Sequence, residues 1–147
     1  MKRIKYFAVL MFPLCLMVSC ALMPGVQISH IEYSVTDKAN GGHPVSVDIV
    51  AVKGDALVAR LEGYSSEKWF TEKDRLLAKN PKELTVWPLT VRPGTAVTHK
   101  NIPLYGKPAD KVLLFARYSS KGAHRLELER ASLITLEFRD SDVYAIY

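Results

Sequence analysis

Polar and apolar positions alternate along most of this chain, with one stretch where the period lengthens. In residues 26–35, Ile31, Tyr33 and Val35 share one face, while Glu32 and Ser34 share the other. That two-residue period predicts a half-buried strand. Residues 36–44, Thr-Asp-Lys-Ala-Asn-Gly-Gly-His-Pro, form a polar loop rich in turn formers. Residues 45–52 alternate again, Val45, Val47, Ile49 and Ala51 against Ser46, Asp48, Val50 and Val52. Both faces are largely apolar, so this strand is expected at the centre of a sheet. Then the period changes. Gly54-Asp55 opens a short helix through Glu62, with Leu57, Val58 and Leu61 on one side and Gly63 at its end. Ser65 or Ser66 caps a second helix. On it Trp69, Phe70, Lys73, Leu76 and Leu77 make an amphipathic stripe, and Asn80-Pro81 stops it. The Trp-Phe pair reads as core anchoring of the helix against a sheet, not as a cofactor contact.

From Glu83 the two-residue period returns. Leu84 and Val86 alternate with Thr85 and Trp87, and Pro88 marks an edge or a bulge. Pro93-Gly94 is a turn. Residues 95–104 form a weaker strand, and 106–110 a loop. Residues 111–118 form the strongest strand, with Val112, Leu114, Ala116 and Tyr118 opposed to Leu113 and Phe115. Ser119-Ser120-Lys121-Gly122 is a four-residue hairpin loop. Strands follow over 124–129, 132–138 and 143–147, the last two joined by the turn at 139–142. The pattern predicts a mainly β chain, a sandwich of about eight short strands with a helical insertion after the second.

The first twenty residues follow a different logic. Lys2, Arg3 and Lys5 are basic, residues 6–18 are apolar, and Ser19 precedes Cys20. This order describes a secretory signal, too short to span a bilayer. Its end resembles the lipobox of bacterial lipoproteins, although Met17 stands where leucine is usual. The resemblance implies cleavage before Cys20, a diacylglyceryl group on its thiol and an acylated new N-terminus. Cys15 is a poor competitor, because Leu14 precedes it inside the apolar stretch. The expected organisation is a removed signal at 1–19, an acylated tether at 20–25 and one domain at 26–147.

Processing changes the charge. The full chain carries 20 basic and 15 acidic residues, net +5. Removing the signal takes three basic residues and no acid, which leaves +2. No basic stripe remains to support nucleic-acid binding. No free thiol remains either, so the exported domain depends on packing and not on disulfides.

Catalytic signatures are missing. His30, His43, His99 and His124 are scattered without metal-ligand spacing, and there is no nucleophile elbow or phosphate loop. Asn40-Gly41-Gly42-His43 precedes a strand, not a helix, so it lacks an anion-binding helix end. His43 reads as a solvated loop residue. Asp140 and Asp142 sit in a turn, where carboxylates serve the backbone. No enzyme activity, cofactor, metal or small-molecule substrate is expected.

Several pieces in order resemble the outer-membrane lipoprotein of the type VI secretion system, the TssJ (SciN, VasD) family. These are Cys20, Asn40-x-Gly42-x-Pro44-Val45-x-Val47, a helical insertion with Trp69-Phe70, Leu89-x-Val91-x-Pro93-Gly94, Phe115-Ala116-x-Tyr118 and Gly122-x-His124-Arg125. Val50-Ala51-Val52 and the helical insertion depart from the family pattern, as in a divergent branch. The resemblance implies a transthyretin-like β-sandwich anchored at the periplasmic face of the outer membrane. It also implies binding to the periplasmic domain of the inner-membrane partner TssM. Partner contacts then map to the first loop, through Asp37, Lys38, Asn40, Gly41, Gly42 and His43. Residue 21 is Ala, not the Asp that resembles an inner-membrane retention signal. Two other classes fit the composition: an assembly or pilotin-like lipoprotein of another secretion or pilus machine, and a periplasmic lipoprotein enzyme or inhibitor.

Overall fold

The computed structural model describes residues 25–147; the signal, Cys15 and Cys20 lie outside them. The order is β1 (His30–Val35), a 3-10 turn (Ala39–Gly42), β2 (Val45–Val52), α1 (Asp55–Glu62), α2 (Ser66–Lys79), β3 (Leu84–Val91), β4 (Ala96–Lys100), β5 (Lys111–Arg117), β6 (Arg125–Leu128), β7 (Leu133–Phe138) and β8 (Val143–Ile146). Two four-stranded sheets form, β4-β1-β7-β8 and β3-β2-β5-β6. This is the predicted sandwich, with the helices after the second strand as expected. All pairs are antiparallel except β1 with β7.

The periods explain the layers. Val45, Val47, Ile49 and Ala51 of β2 and Val112, Leu114 and Ala116 of β5 face the other sheet in one core. Val50, Val52, Leu113 and Phe115 face outward, into a second core beneath α1 and α2. β2 is central, between β3 and β5. Pro88 pairs opposite Asp48 on β3, an edge strand, where its missing N–H leaves no ladder bond unmade.

The helical layer is held by packing and one buried charge. Ser65 caps α2, its hydroxyl accepting from the Lys68 N–H at 3.2 Å. Trp69 and Leu76 are fully buried, and Trp69 stacks on Phe115 with ring centres 5.0 Å apart. The Trp69 indole N–H donates to Asp48 Oδ2 at 2.9 Å, and Lys73 Nζ lies 3.0 Å from the same oxygen. Asp48 is 2% exposed, so this pairing satisfies a carboxylate that would otherwise be costly to bury. Phe70 and Leu77, expected in the same stripe, lie half-buried at its rim. At the start of α1, Gly54 has φ 99°, a conformation suited to glycine, and its N–H donates to Asp110 Oδ2 at 2.7 Å.

Several boundaries differ from the pattern. β1 starts at His30, not Val26, because only there do β4 and β7 flank it. β4 ends at Lys100, where Asn101 turns left-handed with φ 54°. The β5–β6 connection is longer than four residues: Tyr118 and His124 are drawn into the loop, and β6 begins at Arg125.

Candidate functional site

The strands alternate in direction, so the loops divide between two ends. Val35, Val45, Val91, Arg117 and Phe138 mark one end through their register. His30, Val52, Leu84, Lys111 and Leu133 mark the other, which also receives Gly25 through its bridge to Pro108. The residues predicted to bind a partner, in 36–44, lie at the end opposite Gly25, beside loops 92–95, 118–124 and 139–142.

This end is braced. Asn40, Gly41 and Gly42 are left-handed in succession, with φ 51°, 64° and 81°. Glycine takes such values without strain, and asparagine tolerates them better than most residues. Asn40 turns inward: its N–H donates to the Asp140 carbonyl at 2.9 Å, and its Oδ1 accepts from Ser119 N–H and Oγ at 2.8 and 2.9 Å. Ala39 beside it is fully buried. Thr36 Oγ1 donates to Asp140 Oδ1 at 2.8 Å. Asp37, Lys38, Gly41, Gly42 and His43 are exposed. Gly94 lies under Asp37, where a Cβ would sit 2.7 Å from its Oδ1.

The neighbouring loops are tied together through His124, which is 4% exposed. Its Nδ1 lies 3.0 Å from Asp142 Oδ1, and its Nε2 lies 2.9 Å from the Ser120 carbonyl oxygen. Gly122 packs on the ring, where a Cβ would come within 2.8 Å of Cε1. The buried Tyr118 hydroxyl donates to the carbonyls of Arg139 and Asp142, both at 3.0 Å. Burial, with Asp142 nearby, pushes its pKa well above the usual tyrosine value. Asp140 and Asp142 hold loops in place, and no group of three metal-ligating side chains converges among the described residues. The result is a firm polar platform with Asp37, Lys38, His43 and the hairpin at 119–122 outward, suited to hydrogen-bonded recognition of a protein surface. The bracing roles of Asn40, Tyr118 and His124 were not apparent from the pattern. Gly122 two residues before a histidine was the available signal.

No family model matches the chain, and no curated protein matches it. Solved structures do. The type VI secretion lipoprotein TssJ1 from Pseudomonas aeruginosa superposes with a TM-score of 0.62 at 12% identity, covering 80% of this chain and 92% of that one. The fold is that of the TssJ lipoproteins. A chain of a type VI membrane complex matches with a TM-score of 0.64 at 15% identity, over 82% of this chain and 99% of its own. A chain in a structure described as the TssM C-terminal domain from EAEC matches with a TM-score of 0.60 at 14% identity, over 81% and 97%. The TssJ fold here comes with the braced loop end and the two-helix roof just described.

Proposed function

We propose that the protein is a lipoprotein of a type VI secretion membrane complex. Acylated at Cys20, it sits on the periplasmic face of the outer membrane. It binds the periplasmic domain of a TssM-like inner-membrane protein and catalyses nothing. One observation carries this reading: the loop at 36–44 and the first described residue, Gly25, lie at opposite ends of the sandwich. A chain tethered through Cys20 therefore holds that loop away from the membrane surface. The similar structures are described as a lipoprotein of this system, its membrane complex and TssM, which supports the same reading. No helix among the described residues is long and apolar enough to cross a membrane; in this reading the acyl groups on Cys20 supply the attachment. Two or more chains anchor stably where one does not.

The test must spare the residues that brace the loop. Replacing the whole stretch 37–42 would remove the buried Ala39 and the inward Asn40. The triple variant D37A/K38A/H43A changes only outward side chains. It is expected to keep the wild-type melting temperature within a few degrees. Its affinity for the TssM-like periplasmic domain, by titration calorimetry, is expected to fall about tenfold or more, roughly 1.4 kcal/mol. Wild-type affinity in the folded triple variant refutes this loop as the interface.

A further inference from the structure

The chain leading back to Cys20 emerges against one surface segment. Val26 N–H donates to the Lys107 carbonyl at 2.9 Å, and Gly106 N–H donates to the Val26 carbonyl at 2.9 Å. Gly25 packs so closely there that a Cβ would lie 3.3 Å from the Gly106 carbonyl oxygen. In this segment Ile102 and Leu104 point into the core, while Pro103 and Tyr105 point out. Tyr105 is 60% exposed, which is unusual for so large an apolar ring with no partner strand or helix above it. Residues 96–109 contain no acid, and Lys100 and Lys107, both exposed, flank Tyr105. Asp110, just beyond, is occupied by Lys53 and Gly54. Tyr147, also exposed at this end, lies beside Glu129, which lines one groove with Glu127, Gly25 and Val26.

We propose that the segment from Lys100 to Lys107, with Tyr105 at its tip, is a lipid-contacting surface that seats the domain on an anionic bilayer. The proposal rests on acylation at Cys20. Four residues, hence five Cα–Cα steps, separate Cys20 from Gly25, and an extended chain covers at most about 3.6 Å per step, so Gly25, packed against Gly106, is held within roughly 18 Å of the anchor. Tyrosine is the side chain that suits a membrane interface, its ring apolar and its hydroxyl wet. The flanking lysines complement lipid phosphates. Contact there turns a flexible tether into a fixed orientation, with the opposite loop end directed into the periplasm.

The test uses the full-length, processed protein reconstituted in vesicles of phosphatidylethanolamine and phosphatidylglycerol with brominated acyl chains. A thiol fluorophore is placed at P103C beside Tyr105, or at K121C on the opposite end. Quenching at position 103 is expected to exceed that at 121 by roughly threefold or more, since bromine quenches by close contact and an interfacial tyrosine carries position 103, not 121, down to the acyl chains. Adding K100E/Y105S/K107E to P103C is expected to bring the two to the same level. Equal quenching at both positions, or no effect of the triple change, overturns the proposal. The mass of the Cys20 residue reports anchoring independently. If that mass shows no acyl group, the anchoring reading fails by itself. A non-acylated C20S protein, labelled only at 103 or 121 and mixed with the same vesicles, then decides the surface: excess quenching at 103 sustains it, and equality overturns it.

Discussion

The outer faces of the two sheets differ in kind. On the β3-β2-β5-β6 sheet, Val50, Val52, Leu113 and Phe115 point outward and are roofed by two helices. On the β4-β1-β7-β8 sheet, Glu32 and Ser34 of β1 point outward and are exposed, and no helix packs over them among the described residues. Both sheets share the same inner core, so the difference is written only in the alternate positions. Apolar residues on both faces of a strand call for a second layer, and strict alternation calls for solvent. A sandwich with one roofed face can therefore be told from an open one by the outward half of its strands.

Removing the roof's anchor gives the largest expected effect. Trp69→Ala opens a cavity between α2 and Phe115 and leaves Asp48 with Lys73 alone. A loss of about 3–5 kcal/mol is expected in denaturant unfolding. A loss below roughly 1 kcal/mol would mean that the helices add little to the sheet they cover.

Asp110 tests the hinge of the roof. The Gly54 N–H, and then Lys53, hold its carboxyl below the usual carboxylate range. A depressed folded value stabilises the fold above the unfolded pKa, and this contribution is lost as pH falls through the folded value. Asp110→Asn should therefore be less stable than wild type at neutral pH, with the gap closing below about pH 4. A gap unchanged down to the acid transition would show that the charge does not hold α1.

The bare face should respond least. Glu32→Gln on β1 is expected to shift stability by less than about 0.5 kcal/mol. A larger loss, measured in the same unfolding assay, would mean that the outward face carries an interaction in the isolated protein.

Much of this architecture was legible from the periods. The two faces of β2 and β5, the serine cap of α2 and the edge position of Pro88 followed from residue type and spacing. What escaped were choices made by distant partners. Phe70 belongs to the helical stripe, but its place at the rim, under Lys73 and Arg117, depends on where the sheet ends. Asp48 sat on a face that alternation marked as apolar, and only the approach of Trp69 and Lys73 accounts for it. At the loop end, composition identified a polar loop but not its bracing. Asn40 faces Ser119 across 79 positions, a pairing that no local rule reveals.

The parallel pairing of β1 with β7 sets an order in time. Ser29 Oγ donates to the Ser132 carbonyl across 103 positions of sequence. One edge of β1 waits for β4 and the other for β7, so the strand that leaves the ribosome first is seated among the last. Such distant contacts slow folding, because the loop between them must close before the pairing rewards it. Until residue 138 has emerged, β1 has no complete sheet to join. The sheet that holds β1 is thus complete only when the C-terminal strands β7 and β8 are present.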